Sequence, residues 1–110
     1  MRVKKLISKE KQTEICKKAI NTFGEYTQLD MVIEEMAELT QAISKFKRDK
    51  IHNVEEEIAD VEIMLSQLRL MTELFDIKVI DEIKEEKLKR LEGVVWWWKI
   101  ILITRRLKKH

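Results

Sequence analysis

The chain contains no proline, two glycines and one cysteine among its 110 residues. Proline and glycine interrupt helices, so their scarcity favours long helices built from the abundant Glu, Lys, Leu and Ile. The single cysteine, Cys16, excludes an intramolecular disulfide and has no partner at zinc-site spacing. Residues 1–12 lack the apolar run that a secretory signal requires. We therefore expect an all-α protein in a reducing, cytoplasmic setting.

A broad basic surface is also lacking, although the formal net charge is +2. Residues 12–92 carry 12 Lys/Arg and 19 Asp/Glu, a net charge of −7, and lie between two basic ends. Nucleic-acid binding depends strongly on basic side chains. The acidic body therefore argues against DNA or RNA as a partner.

The apolar residues recur every three or four positions, which indicates amphipathic helices. The predicted helices are residues 9–23, 28–48, 54–75 and 79–92. At the start of the third, Asn53 and Glu56 resemble a capping box. The third helix is apolar on two sides, so we expect one side to pack within the chain and the other against a second subunit. The fold expected is an antiparallel bundle of four main helices, with a core completed by self-association.

Acidic residues crowd together on the second and third predicted helices. Glu35 and Glu38 are three residues apart, as are Glu57 and Asp60, so each pair projects from one side of its helix. The second pair begins a column that continues with Met64, Gln67 and Met71, where an unpaired charge is costly. Because the connection between the two helices is short, the pairs are expected to face each other.

Residue chemistry alone leaves two explanations of these clusters open. They could be solvated acidic faces, or four carboxylates that share a hard cation such as Mg²⁺, which prefers oxygen ligands. A di-iron site of the ferritin type is disfavoured because it needs Glu-x-x-His on its helices. Neither His52 nor His110 has that spacing.

The segments "QLDMVIEEMAELTQAISKFKR" and "VEEEIADVEIMLSQL" follow the pattern E-E-x-x-E, a spacer, then E-x-x-D. Over about residues 13–92 the chain resembles the all-α nucleoside triphosphate pyrophosphohydrolases of the MazG-like superfamily, in their short single-domain form. The resemblance implies a catalytic domain over residues 1–92 and a role in nucleotide-pool housekeeping. The implied reaction hydrolyses (d)NTP between its α and β phosphates, giving (d)NMP and pyrophosphate.

The resemblance also implies functional roles for individual residues and assembly into a homodimer or homotetramer. Four carboxylates are expected to hold Mg²⁺, or Mn²⁺ in its place: Glu35, Glu38, Glu57 and Asp60. A carboxylate outside the coordination shell could take the proton of the attacking water, and the candidates are Glu34 and Glu56. The candidate substrate-binding residues are Lys45, Lys47, Arg48, Lys50, Tyr26 and Gln28. The basic ones among them also suit a helix C-terminus, and Tyr26 and Gln28 equally suit core or cap positions.

Residues 93–110 depart from the family pattern as a tryptophan-rich apolar and basic tail. Its segment "VVWWWKIILI", residues 94–103, has nine apolar residues around Lys99 and is too short to span a bilayer. Three interpretations stay open: packing on the bundle, which we favour, anchoring at an anionic membrane surface, or a sequence without an evolved role. For the whole chain, a non-enzymatic helical module that binds a partner protein through its acidic face remains an alternative function.

Overall fold

A computed structural model describes residues 5–108, and helices account for most of them. The helices are α1 (Lys9–Phe23), α2 (Glu25–Asp49), α3 (Val54–Leu70) and α4 (Ile77–Lys108). No strand occurs within residues 5–108, so the predicted all-α class and the four helices are confirmed. The helices divide into two compact units. The first holds α1 to α3 and ends at Phe75, and the second holds α4 and begins at Asp76.

The connection from α1 to α2 is a single residue, Gly24. The hydroxyl of Ser8 caps the start of α1 by accepting a hydrogen bond from the Lys11 amide. Gly24 ends the helix with a φ of 91° and donates its amide to the Ile20 carbonyl at 2.8 Å. Only glycine adopts this positive φ without strain. Because one residue makes the turn, α2 begins at Glu25, three residues earlier than predicted.

Helices α2 and α3 form an antiparallel pair. Lys50 ends α2 in the left-handed conformation, and residues 51–53 connect it to α3. Gln28 hydrogen-bonds Gln67 near one end of the pair, and Glu35 lies beside Glu57 closer to the connection. Residues later in α2 therefore lie beside residues earlier in α3, as expected for antiparallel helices. Helix α1 contacts both of them.

The inward face of α3 is the column predicted from the sequence. Its members are Glu57, Asp60, Met64, Gln67 and Met71. Asp60 is half-buried, and the other four are buried. The matching face of α2 consists of Gln28, Val32, Glu35, Leu39 and Ala42. Since both columns mix apolar and polar side chains, the interface between the two helices contains carboxylates as well as methyl groups.

The end of α3 and the length of α4 differ from prediction. Helix α3 ends at Leu70, and a turn over residues 71–75 follows, in which the Phe75 amide donates to the Met71 carbonyl. The Asp76 side chain accepts from the first amides of α4, which then continues without interruption through Gly93. The tryptophan-rich residues are therefore helical. In the part of the chain that the structure describes, no helix has the length and apolarity needed to cross a membrane.

Candidate metal centre

Three carboxylates from α2 and α3 meet on the inner faces of the two helices. Glu35, Glu57 and Asp60 each offer one carboxylate oxygen, and these three oxygens lie within 4.8 Å of one another. The helical repeat places Glu35 in the same stripe as Val32, so its side chain points toward α3 rather than toward solvent. Three of the four predicted metal ligands are thus brought together.

Two of these carboxylates carry oxygens that nothing in the described structure satisfies. Glu57 is only 7% exposed, and Glu35 is half-buried. The Oε2 atoms of both side chains are buried and have no hydrogen-bond partner. Burying an acceptor without a partner is unfavourable, and more so when the acceptor is charged. The paired orphan oxygens therefore mark a place where a cation would remove an energetic penalty.

Asn53 fixes the orientation of Glu57. The Nδ2 group of Asn53 donates a hydrogen bond to Glu57 Oε1 at 2.8 Å, which leaves Oε2 as the free oxygen. The predicted capping box is wrong, because the Asn53 side chain makes no cap hydrogen bond. The Val54 amide at the start of α3 donates instead to His52 Nδ1 at 3.2 Å. Asn53 therefore supports the acidic cluster.

Burial and mutual repulsion raise the pKa of both glutamates. Desolvation is the largest cause of the raised pKa of Glu35, followed by the charges of Glu38, Asp60 and Glu57. Desolvation also leads for the pKa of Glu57, followed by the charges of Glu38 and Asp60. Both causes disfavour the ionised form, which a bound cation would favour. The cluster therefore favours either protonated carboxylates or a positive charge nearby.

Glu38, the fourth predicted ligand, lies at the edge of the cluster. It is exposed, one turn beyond Glu35 on α2. Its charge contributes to the raised pKa of both Glu35 and Glu57. Glu38 therefore affects the charge of the cluster, but it is not among the three residues whose oxygens lie within 4.8 Å of one another, and its role as a ligand stays a prediction.

The donor set suits magnesium in its chemistry. Mg²⁺ binds oxygen at about 2.0–2.1 Å, so two oxygens on one ion are separated by at most about 4.2 Å. The three carboxylate oxygens lie within 4.8 Å of one another, so they would have to move closer to bind one such ion. The nearest histidine in the sequence, His52, contacts the Val54 amide and lies 3.7 Å from Glu55. The cluster thus consists of oxygen ligands alone, as a hard cation requires.

The two candidate bases flank the cluster on its solvent side. Glu34 and Glu56 are both exposed. The charge of Glu34 contributes to the raised pKa of Glu35, and that of Glu56 to the raised pKa of Glu57. Each base candidate therefore lies next in sequence to a cluster residue and faces water, and its catalytic role stays a prediction.

The basic substrate-binding candidates gather at the C-terminal end of α2. Lys45, Lys47, Arg48 and Lys50 are all exposed. Arg48 Nε lies 3.3 Å from Asp49 Oδ2, and Lys50 Nζ lies 4.6 Å from the centroid of the Phe46 ring. With a rise of about 1.5 Å per residue, Lys45 lies about 10 Å along the helix from Glu38. That separation is within reach of an extended phosphate chain.

The other two substrate-binding candidates have different surroundings. Tyr26 is 75% exposed in the first turn of α2. Gln28 is buried, and its Nε2 donates to Gln67 Oε1 at 2.6 Å. Gln67 in turn contacts Met64 Sδ at 3.8 Å. The sequence placed Gln67 on the inner column but gave no signal that Gln28 is its partner.

Comparisons of the chain with protein-family models, curated proteins and solved structures give no match. The resemblance to the MazG-like superfamily therefore stays a prediction from the sequence, and the function must be argued from the site.

Proposed function

We propose that this chain is a Mg²⁺-dependent nucleoside triphosphate pyrophosphohydrolase that converts (d)NTP to (d)NMP and pyrophosphate in nucleotide-pool housekeeping. The observation that carries the proposal is the group of Glu35, Glu57 and Asp60, with two buried oxygens that lack partners. A solvated acidic face would not bury these oxygens. Together with the E-x-x-E and E-x-x-D spacing, the group favours a site for a cation and its phosphate ligand.

Glu35, Glu57 and Asp60 would hold Mg²⁺, and Glu38 would complete the set. When bound, the ion would supply positive charge that favours both the phosphates and the attacking water. The water adds to the α phosphorus while the bond from that phosphorus to the α–β bridging oxygen breaks, so pyrophosphate leaves. Glu34 or Glu56 accepts the water's proton, since each is exposed beside the cluster.

Basic residues at the end of α2 neutralise the outer phosphates. Lys45 and Lys47 are exposed and free to extend, and as flexible point charges they suit a mobile polyphosphate. Tyr26 offers an exposed ring on which a base can stack. The buried Gln28 positions α2 against α3 and so supports the site indirectly.

A second copy of the chain completes the apolar core. The stripe of α3 that faces away from the inner column includes Ile58 and Leu65, which are 42% and 44% exposed. On α2, Ile33 and Met36 are 68% and 50% exposed. Apolar side chains left open on the two helices that carry the acidic cluster favour a homodimer or homotetramer.

The test is pyrophosphate release from a panel of NTPs and dNTPs by the full chain, with Mg²⁺ and with EDTA. Glu38→Ala and Asp60→Ala should each abolish turnover while the helical circular dichroism signal is retained. Glu62→Ala is the matched control, because Glu62 is an exposed glutamate on α3 that forms no part of the cluster. It should leave the rate unchanged.

Two outcomes would overturn the proposal. Folded protein that releases no pyrophosphate from any nucleotide would favour the alternative, a helical module that binds a partner protein through its acidic face. Unchanged turnover in both Glu38→Ala and Asp60→Ala would show that the chemistry occurs elsewhere on the molecule.

A further inference from the structure

Helix α4 changes its chemical character after Glu92 without a break in the helix. Residues 77–92 mix five Lys/Arg with five Asp/Glu. Residues 93–108, which we call the basic tryptophan segment, have four Lys/Arg and no acidic residue. One continuous helix thus joins a charge-balanced half to a half that is only basic and apolar.

The basic tryptophan segment exposes its largest apolar side chains. Trp96, Trp97 and Trp98 are 64%, 61% and 55% exposed. Consecutive residues of a helix point about 100° apart, so these three indoles spread over about 200° of the helix surface. Exposed aliphatic side chains accompany them: Val94, Val95, Leu102, Ile103 and Leu107.

We propose that the basic tryptophan segment binds the surface of a lipid bilayer that contains anionic lipids. Tryptophan is enriched at the boundary between headgroups and acyl chains, where the indole is half in an apolar medium. Lysine and arginine are attracted to anionic headgroups. The ten-residue run 94–103 is about 15 Å long, half of what crossing the hydrocarbon requires, so the segment binds at the surface without crossing the bilayer.

Four basic residues supply the attraction to anionic headgroups. Lys99 lies within the apolar run, and Arg106 follows it two turns along the same line of the helix. Arg105 and Lys108 add positive charge at the C-terminal end. All four are exposed. Three tryptophans and four positive charges without an acidic residue are the features of the segment that favour an anionic membrane surface.

Other occupants fit the segment less well. A second copy of the segment would bring four positive charges near four more, with no acidic residue between them. A nucleic acid would neutralise these charges but would leave Leu102, Ile103 and Leu107 in water. An anionic bilayer is the partner that matches both the charge and the surrounding apolar surface.

Intrinsic fluorescence gives a direct test, because the chain's only tryptophans lie in this segment. The full chain is mixed with vesicles of phosphatidylcholine alone, or of phosphatidylcholine with phosphatidylserine. We expect a blue shift of the emission and co-sedimentation with the phosphatidylserine vesicles, and weaker binding in high salt. Phosphatidylcholine vesicles alone should bind much less protein.

Charge variants separate this segment from the rest of α4. Arg105→Gln/Arg106→Gln should weaken partition into phosphatidylserine vesicles about 30-fold. The matched control, Lys87→Gln/Lys89→Gln, removes two charges from the balanced half of the helix and should change partition far less. Equal losses in both variants would overturn the assignment of the surface to residues 93–108.

Three further results would also overturn the proposal. One is unchanged emission and no co-sedimentation with phosphatidylserine vesicles. Another is emission that is already blue-shifted without vesicles and moves to the red on dilution, which would assign the segment to a second copy of the chain. The last is a blue shift produced by a single-stranded oligonucleotide and not by vesicles. None of these results depends on nucleotide hydrolysis.

Discussion

Replacing Gln67 with methionine should destabilise the protein by about 1–3 kcal/mol, because the substitution leaves the amide of Gln28 buried without its partner. The hydrogen bond between the two side chains is 2.6 Å long and joins residues 39 apart in sequence. Both side chains are buried, at 5% and 6% exposure, so water cannot take over the lost interaction. Methionine has nearly the volume of glutamine, so little of the loss comes from a cavity.

The reciprocal change should cost a similar amount. Gln28→Met removes the donor and leaves the Gln67 oxygen without a partner, so we again expect the free energy of unfolding to fall by about 1–3 kcal/mol. The double variant replaces both polar groups with apolar groups of similar shape, which can be nearly neutral. Because the double variant is expected to be nearly neutral, the coupling free energy in the double-mutant cycle should equal the sum of the two single losses, about 2–6 kcal/mol.

Urea unfolding followed by circular dichroism measures all four proteins at one concentration, since self-association would shift the midpoint. With a urea dependence of about 1–3 kcal/mol/M, each single variant should lower the midpoint by roughly 1 M. If the losses of the single variants simply add in the double variant, the two side chains are not paired and the reasoning is refuted.

The same variants examine the predicted contact between Gln28 and substrate. If Gln28 acts only through its pairing with Gln67, both single variants should change KM for a (d)NTP to the same extent. A raised KM in Gln28→Met alone, with stability retained, would instead place Gln28 against the nucleotide.

Three other predictions follow from the acidic cluster and the open apolar faces. In EDTA, the free energy of unfolding should fall as pH rises from about the ordinary carboxyl pKa of 4.5 toward neutrality, because Glu35 and Glu57 bind protons more tightly in the fold than in the unfolded chain. Urea titrations at several pH values across this range should show the fall in the free energy of unfolding. Glu57→Gln should make the fall smaller, and Mg²⁺ should restore stability at neutral pH. A free energy of unfolding that instead rises with pH, and that Glu57→Gln leaves unchanged, would contradict the assignment. Asn53→Ala should weaken Mg²⁺ binding about 10–100-fold in titration calorimetry, because it frees the Glu57 carboxylate to rotate. The control Asn21→Ala, on α1, should leave the affinity unchanged. Equal affinities for the two variants would show that Asn53 does not orient Glu57. Leu65→Glu should lower the mass measured by sedimentation equilibrium, because a charge would enter the proposed subunit contact. A wild-type chain that is already monomeric would argue against that contact.

Local chemistry in the sequence predicted several parts of the fold correctly. The bounds of α1 follow from its apolar spacing and from Gly24, and they match the structure. The inner column of α3, from Glu57 to Met71, follows from the 3.6-residue repeat and is buried or half-buried as predicted. Cys16 is buried, as expected for a small apolar side chain. These features depend on neighbours within a few turns.

Other features could not be predicted in this way. The end of α3 at Leu70 has no proline or glycine to mark it. Gly93 suggests a helix boundary. However, a glycine inside a helix costs only about 1 kcal/mol, and α4 continues through it. Asn53 is of a residue type that commonly caps helices, but its side chain orients Glu57 instead. Its alternative partners differ by too little in free energy for the local sequence to choose between them.

The sequence by itself determined that the chain is helical and that Glu35 and Glu38 share one side of their helix, as Glu57 and Asp60 do of theirs, because the helical repeat fixes which residues share a face. Only the tertiary structure decided that Glu35, Glu57 and Asp60 form the closest group, that Gln28 pairs with Gln67, and that Ile58 and Leu65 stay open. The reason is that periodicity defines the faces of one helix, whereas the depth of burial and the partner of each side chain depend on how a second helix packs against it.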